Sequence, residues 1–150
     1  SSVLSNSNLI TKIANRVGSQ SVIVVLDVKK KLLGGYEVYT HNGKKATGIN
    51  PLKFVEEAER LGAGEIVINS IDKDGVMKGY DLDLIEKVRG KIALPMTVLG
   101  GAGSLNDIEK IIKRYGIIGI SAGSLFVFKG PYKAVLINYP NRTEKNKLFK

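Results

Sequence analysis

Four short apolar runs recur along the chain at residues 22–27, 65–70, 95–100 and 117–122, each followed by small or polar residues. They are rich in β-branched side chains and do not alternate with polar ones, which predicts parallel strands buried on both faces. Segments with helical spacing lie between them. Residues 51–61 open on Pro51, align Phe54, Val55, Ala58 and Leu61 on one face and stop at Gly62. Residues 81–88 stack Leu82, Leu84, Ile85 and Val88, and residues 105–115 stack Leu105, Ile108, Ile111 and Ile112 behind a capping Ser104. Residues 8–17 form a further helix ended by Gly18, and the tail predicts another helical piece at 133–137.

Strands alternating with helices imply parallel pairing through right-handed crossovers, hence an α/β fold in one domain spanning residues 1–150. Residues 34–48 depart from this rhythm. Tyr36-Glu37-Val38-Tyr39-Thr40 alternates, and Asn42-Gly43 suits a tight turn, so the segment reads as a hairpin inserted after the first strand.

Composition narrows the chemistry. The 150 residues contain no cysteine and one histidine, His41, which leaves no thiolate nucleophile, iron–sulfur cluster or multi-histidine zinc site, and no cofactor is expected. The apolar runs fall far short of the roughly 20 residues of a membrane helix. The first residues show no basic flank before an apolar segment, so the expected location is cytoplasmic. A net charge of +9 favours an anionic partner. A nucleic acid is not indicated, because no aromatic-studded sheet or basic recognition helix accompanies that charge.

In parallel α/β folds, ligands lie beyond the carboxyl ends of the strands. There, Gly100-Gly101-Ala102-Gly103-Ser104 precedes a helix, and Ser121-Ala122-Gly123-Ser124 closes the last strand. Two neighbouring loops of small residues could expose backbone N–H groups to a phosphate, or could simply permit tight strand-to-helix turns. Asp27 closes an apolar strand and is the candidate for acid/base work; the alternative is a helix-capping or Lys29-paired carboxylate. Asn69 and Ser70 are candidate hydrogen-bond donors at the same mouth. Asp72 and Asp74, before Gly75, line either the site or a solvated turn.

The stretches Asp27-Val28-Lys29, Gly43-Lys44-Lys45-Ala46-Thr47-Gly48, Gly62-Ala63-Gly64-Glu65-Ile66, Ser70-Ile71-Asp72-Lys73-Asp74-Gly75, Gly79-Tyr80-Asp81 and Gly100-Gly101-Ala102-Gly103 resemble the cyclase subunit of imidazole glycerol phosphate synthase, in order and over nearly the whole chain. The resemblance implies the second half of a (βα)₈ TIM barrel: strands five to eight, four parallel strands with outer helices. It implies an ammonia-using lyase of histidine biosynthesis. Ammonia comes from a glutaminase subunit through the barrel, and a phosphorylated substrate is converted to imidazole glycerol phosphate and an aminoimidazole carboxamide nucleotide.

By the same resemblance Asp27 is a catalytic aspartate, and Asp74 and Gly75 line the substrate, with Asn69 and Ser70 expected beside them from their place at the strand mouth. Gly100, Gly101, Ala122, Gly123 and Ser124 match its phosphate-binding loops, Gly103 is expected to converge on the same anion site, and Glu65 stands at the ammonia entrance. The family's other catalytic aspartate belongs to its first strand, so this segment alone is expected to be inactive and to need a first-half barrel or self-association. Asn42, Leu99 and the tail 126–140 look more like a paralogous branch associated with amidation of bacterial surface sugars. A phosphate-binding half-barrel without chemistry is the remaining alternative.

Overall fold

The computed structural model describes residues 2–130 and 132–149. Its elements in chain order are α1 (Ser2–Ser5), α2 (Asn8–Val17), β1 (Ile23–Lys30), β2 (Tyr36–Thr40), β3 (Lys45–Ala46), α3 (Pro51–Arg60), β4 (Glu65–Ser70), α4 (Leu82–Arg89), β5 (Met96–Leu99), α5 (Leu105–Tyr115), β6 (Gly119–Ile120), α6 (Ser124–Val127), β7 (Phe128–Lys129), β8 (Ala134–Val135) and α7 (Arg142–Lys147). Local chemistry sets the helix starts. The Asn50 side chain accepts from the N–H groups of Leu52 and Lys53 with Pro51 in the first turn, and Ser104 and Asp107 cap α5 reciprocally.

One sheet runs in the order β3-β2-β1-β4-β5-β6. Its members β1, β4, β5 and β6 are parallel and adjacent in chain order, whereas β2 and β3 add an antiparallel hairpin on the β1 edge. The helices cover one face. Val24, Leu26 and Val28 of β1, Ile66 and Ile68 of β4, and Met96 and Val98 of β5 are buried with Phe54, Val55 and Ala58 of α3, Leu84, Ile85 and Val88 of α4, and Ile108 and Ile111 of α5.

The opposite face is open: burial on both sides, read from the apolar runs, is not met, whereas helices on one face only are what half of a barrel implies. Ile23 and Val25 alternate with buried neighbours yet are 54% and 59% exposed. Strands without polar alternation belong in a sheet with two covering layers, and among the described residues only one layer is present.

Three further expectations differ in detail. β1 does not close at Asp27 but continues to Lys30, because its extension pairs with β2. The last strand shrinks to Gly119–Ile120, leaving Ile117 97% exposed. The tail at 133–137 is not helical: Ala134–Val135 pairs with Phe128–Lys129, a strand choice that β-branched Val135 favours and that a left-handed Lys133 (φ 50°) sets up. Among the described residues no helix is long and apolar enough to cross a membrane.

One-sided burial predicts an asymmetric response to truncation. Leu26→Ala should cost about 2–5 kcal/mol in urea unfolding of this chain, whereas Val25→Ala, one residue away on the open face, should cost less than about 1 kcal/mol.

Candidate functional site: the open sheet face and its two ends

Register lines up the open face in layers. Ile23 and Glu65 pair at the amino end, Val25, Val67, Thr97 and Gly119 form the middle, and Asp27, Asn69 and Leu99 stand at the carboxyl end. Side chains two residues apart on a strand share a face, so Asp27 also has Lys29 above it, with Tyr39 opposite on β2. The Lys29 ammonium lies 5.7 Å from the Tyr39 ring centroid.

Asp27 is held rather than merely exposed. Asn69 Nδ2 donates to its Oδ1 at 2.9 Å across the β1–β4 ladder. The other end of that amide, Asn69 Oδ1, is buried without a partner and lies beside Gly100, where a Cβ would come within 3.1 Å of it. Asn69 therefore connects the carboxylate to the base of the glycine-rich turn. A cavity of about 310 Å³ opens next to Asp27, walled by Val25, Tyr39 and His41, and a cleft of about 1010 Å³ carrying Lys29, Lys30, Lys31 and Lys73 lies over the rim.

Ser70 does not join this group. It follows Asn69 by one residue, so the pleat turns its side chain to the helix-covered face with Ile66 and Ile68, where it is 4% exposed. Its contribution is its carbonyl, which accepts the N–H groups of Lys73 and Asp74 and starts the loop to α4. Asp74 and Gly75 lie on that loop, exposed, with Gly75 left-handed (φ 71°).

The glycines of the turn after β5 answer first to packing. A Cβ at Gly101 would overlap the Gly79 carbonyl, one at Gly103 the Met77 carbonyl, and one at Gly100 would press on the Ser70 carbonyl at 2.7 Å. Gly79 N–H donates to Gly101 O at 2.8 Å, so the loops after β4 and β5 fit against each other backbone to backbone. Close backbone packing is thus a reason for these glycines beside the phosphate access and tight turns read from the sequence. A bulky residue at Gly101 would also disturb the fold.

Gly103 is corrected as an anion donor too. Its N–H and that of Ser104 go to Asp107 Oδ2 at 3.1 and 3.0 Å. Among the described residues, the N–H groups of Gly101, Ala102, Ala122, Gly123 and Ser124 donate to no protein acceptor. They are the free donors of the two loops.

Tyr80, which sequence reasoning did not single out as a site residue, ties these loops together. It is 7% exposed and its hydroxyl donates to the Ser121 carbonyl at 2.9 Å. A buried aromatic within a polar loop flanked by glycine was the available signal. Burial, reinforced by the nearby Asp107 carboxylate, pushes its phenol up to about 12.

Glu65 occupies the opposite end of the open face, where its Oε1 accepts the Thr97 hydroxyl at 2.6 Å. A Cβ at Gly119 would overlap that hydroxyl, so the glycine in β6 makes room for it. Among the described residues, no three His, Cys, Asp or Glu side chains gather as metal ligands.

A phenol held protonated in the fold stabilises the folded state below its ordinary titration near 10, and that stability is lost as pH rises toward 12. Tyr36, raised by burial and by Asp81 and Asp83, acts in the same direction. Tyr80→Phe should therefore lower stability at neutral pH and flatten the decline between pH 10 and 12, measured by chemical unfolding at stepped pH.

A sequence profile of the family described as histidine biosynthesis protein matches residues 1–133. A Leptospira interrogans protein with the provisional name imidazole glycerol phosphate synthase subunit HisF is 56% identical over 147 residues, 97% of this chain and 58% of that protein. A Vibrio vulnificus protein provisionally named as subunit hisF3 of the same synthase is 53% identical over 148 residues, 98% of this chain and 57% of its own length. The HisF subunit of Dictyoglomus turgidum is 43% identical over 127 residues, covering 85% and 50%. The chain thus spans little more than half the length of the curated relatives it matches. It belongs to the histidine biosynthesis protein family, among relatives named as HisF subunits of imidazole glycerol phosphate synthase.

Proposed function

We propose that this chain is the strand-five-to-eight half of a (βα)₈ barrel cyclase and that its open face is the inner wall of that barrel. The observation that carries the reading is the pairing of Asp27 with Asn69 at the carboxyl end of the same sheet face whose amino end holds Glu65. Closing the barrel, by a first-half segment or a second copy, covers Ile23 and Val25 and places Asp27 at an active mouth. The activity is that of an ammonia-using lyase of histidine biosynthesis, in a cytoplasmic setting. A glutaminase subunit docks at the Glu65 end and supplies ammonia. Asp27 moves protons at the substrate nitrogen and oxygen as the imidazole ring closes.

The free N–H groups of Gly101, Ala122, Gly123 and Ser124 take the substrate phosphate, with Gly100 shaping the turn and Asp74 and Gly75 on the rim of the same mouth. Leu99 favours a second reading. It puts an apolar side chain in the layer of Asp27 and Asn69, which suits the paralogue that serves amidation of a surface sugar, with a different acceptor above the same ammonia path.

The test uses this chain completed with the amino-terminal part of a HisF relative and assayed with ammonium. Asp27→Asn should lower turnover by at least about 10²-fold while substrate affinity by calorimetry stays within a few fold, because asparagine keeps the shape and loses the titrating group. Turnover close to that of the unmutated barrel would demote Asp27 to a structural carboxylate.

A further inference from the structure

The middle layer of the open face has one polar side chain. Val25, Val67, Thr97 and Gly119 stand level on β1, β4, β5 and β6, and of these only Thr97 can form a side-chain hydrogen bond. It lies halfway between the layers of Glu65 and Asn69, which are four residues apart on β4 and so about 13 Å from each other. The Thr97 hydroxyl has one proton and two lone pairs. Its proton is committed to Glu65 Oε1 at 2.6 Å, and an ionised carboxylate can only accept. What the hydroxyl offers to a passing molecule is therefore lone pairs. Gly119 makes room for the oxygen, which stands where a Cβ of that residue would be.

We propose that Thr97 is an acceptor station for ammonia, taking an N–H bond midway along the inner face, with Glu65 fixing the direction of its hydroxyl and the absence of a Cβ at Gly119 giving that hydroxyl its place. This rests on the ammonia-transfer reading above. Ammonia has three N–H donors, so an oxygen whose own proton is spent holds it, while the flanking valines bind nothing. The bond to Glu65 gives the carboxylate a second role: besides standing at the entrance, it orients the next group inward. A threonine held only for strand packing would carry no such dependence on its hydroxyl, because valine has the same shape.

The experiment compares glutamine-driven with ammonium-driven turnover in the complete barrel bound to a glutaminase subunit, this chain's sequence supplying β1 to β6. Ammonium in excess reaches the mouth from solvent, so the ratio of the two rates isolates passage along the inner face. Thr97→Val should lower that ratio about five- to tenfold, the loss of roughly one hydrogen bond. Thr97→Ser should restore it, and Gly119→Ala, which crowds the hydroxyl, should lower it as well. Thr97→Ala serves where valine does not fold and should give the same drop. An unchanged ratio in Thr97→Val, or a serine variant as impaired as the valine one, overturns the proposal. An unmutated barrel with no ammonium-driven turnover on any acceptor overturns the function reading itself, and this inference with it.

Discussion

In a β-strand successive side chains go to opposite faces, and in this chain only one of those faces is covered by helices. Everything else follows from that asymmetry. It makes Leu26 core and Val25 surface although they are neighbours in one apolar run, and it separates Asn69, beside Asp27, from Ser70, beneath the helices. The same alternation sorts chemistry from stability without any residue having to serve both. The helix side carries the aliphatic packing, while the open side carries Asp27, Lys29, Glu65, Asn69 and Thr97 on a rigid scaffold. Strands are good holders for such groups, because the ladder fixes their spacing to within the play of a rotamer.

The two loops at the carboxyl end form one body. Gly100, Gly101 and Gly103 let the turn after β5 lie against the backbone of Ser70, Gly79 and Met77, and Met77 itself is left-handed (φ 58°), a conformation a side chain adopts only when its surroundings hold it. Tyr80 then reaches from this assembly to the Ser121 carbonyl on the last strand. Asp107 spends its carboxylate on the N–H groups of Gly103 and Ser104 and stays close enough to Tyr80 to disfavour its ionisation. A ligand bound by main-chain donors needs those donors held in place beforehand. Here loop-to-loop packing supplies rigidity to the free N–H groups of Gly101 and Ala102.

Much of this was legible in the chain because local signals and tertiary need coincide. Asn50-Pro51 and Ser104 to Asp107 announce helix starts, and β-branched runs announce the parallel strands. The hairpin shows where sequence reasoning stops. Asn42-Gly43 marked a turn with positive φ, yet the left-handed stretch begins one residue earlier, with φ of 55° at both His41 and Asn42 and 75° at Gly43. Turn residues fix that a reversal occurs more firmly than they fix its register. The tail was misread because helical spacing in five residues cannot compete with a strand partner already in place at Phe128–Lys129. At the site, Asp27 was readable as a charge closing an apolar run and Asn69 as a hydrogen-bond donor near it, while Glu65 came from the family resemblance. Which residues the two carboxylates bond to, Asn69 for Asp27 and Thr97 for Glu65, was not readable, since a cross-strand hydrogen bond depends on register, and register is a property of two strands together.

The neighbours of Asp27 on the open face set the surroundings of its carboxylate. A carboxylate enclosed by apolar residues loses its hydration at a cost of several kcal/mol unless donors replace the water. Below Asp27 the wall is Val25 and Val67, above it is Lys29, and across the ladder is the Asn69 amide. A second layer closed over this face would therefore dry the carboxylate from beneath while leaving it one fixed donor and a cation at the mouth. Asn69 is the hinge of that arrangement: its Nδ2 holds the acid and its unpartnered Oδ1 lies at the foot of the glycine turn. The amide thus fixes the carboxylate from one side while its own oxygen, close to where a Cβ on Gly100 would stand, keeps that position free for glycine.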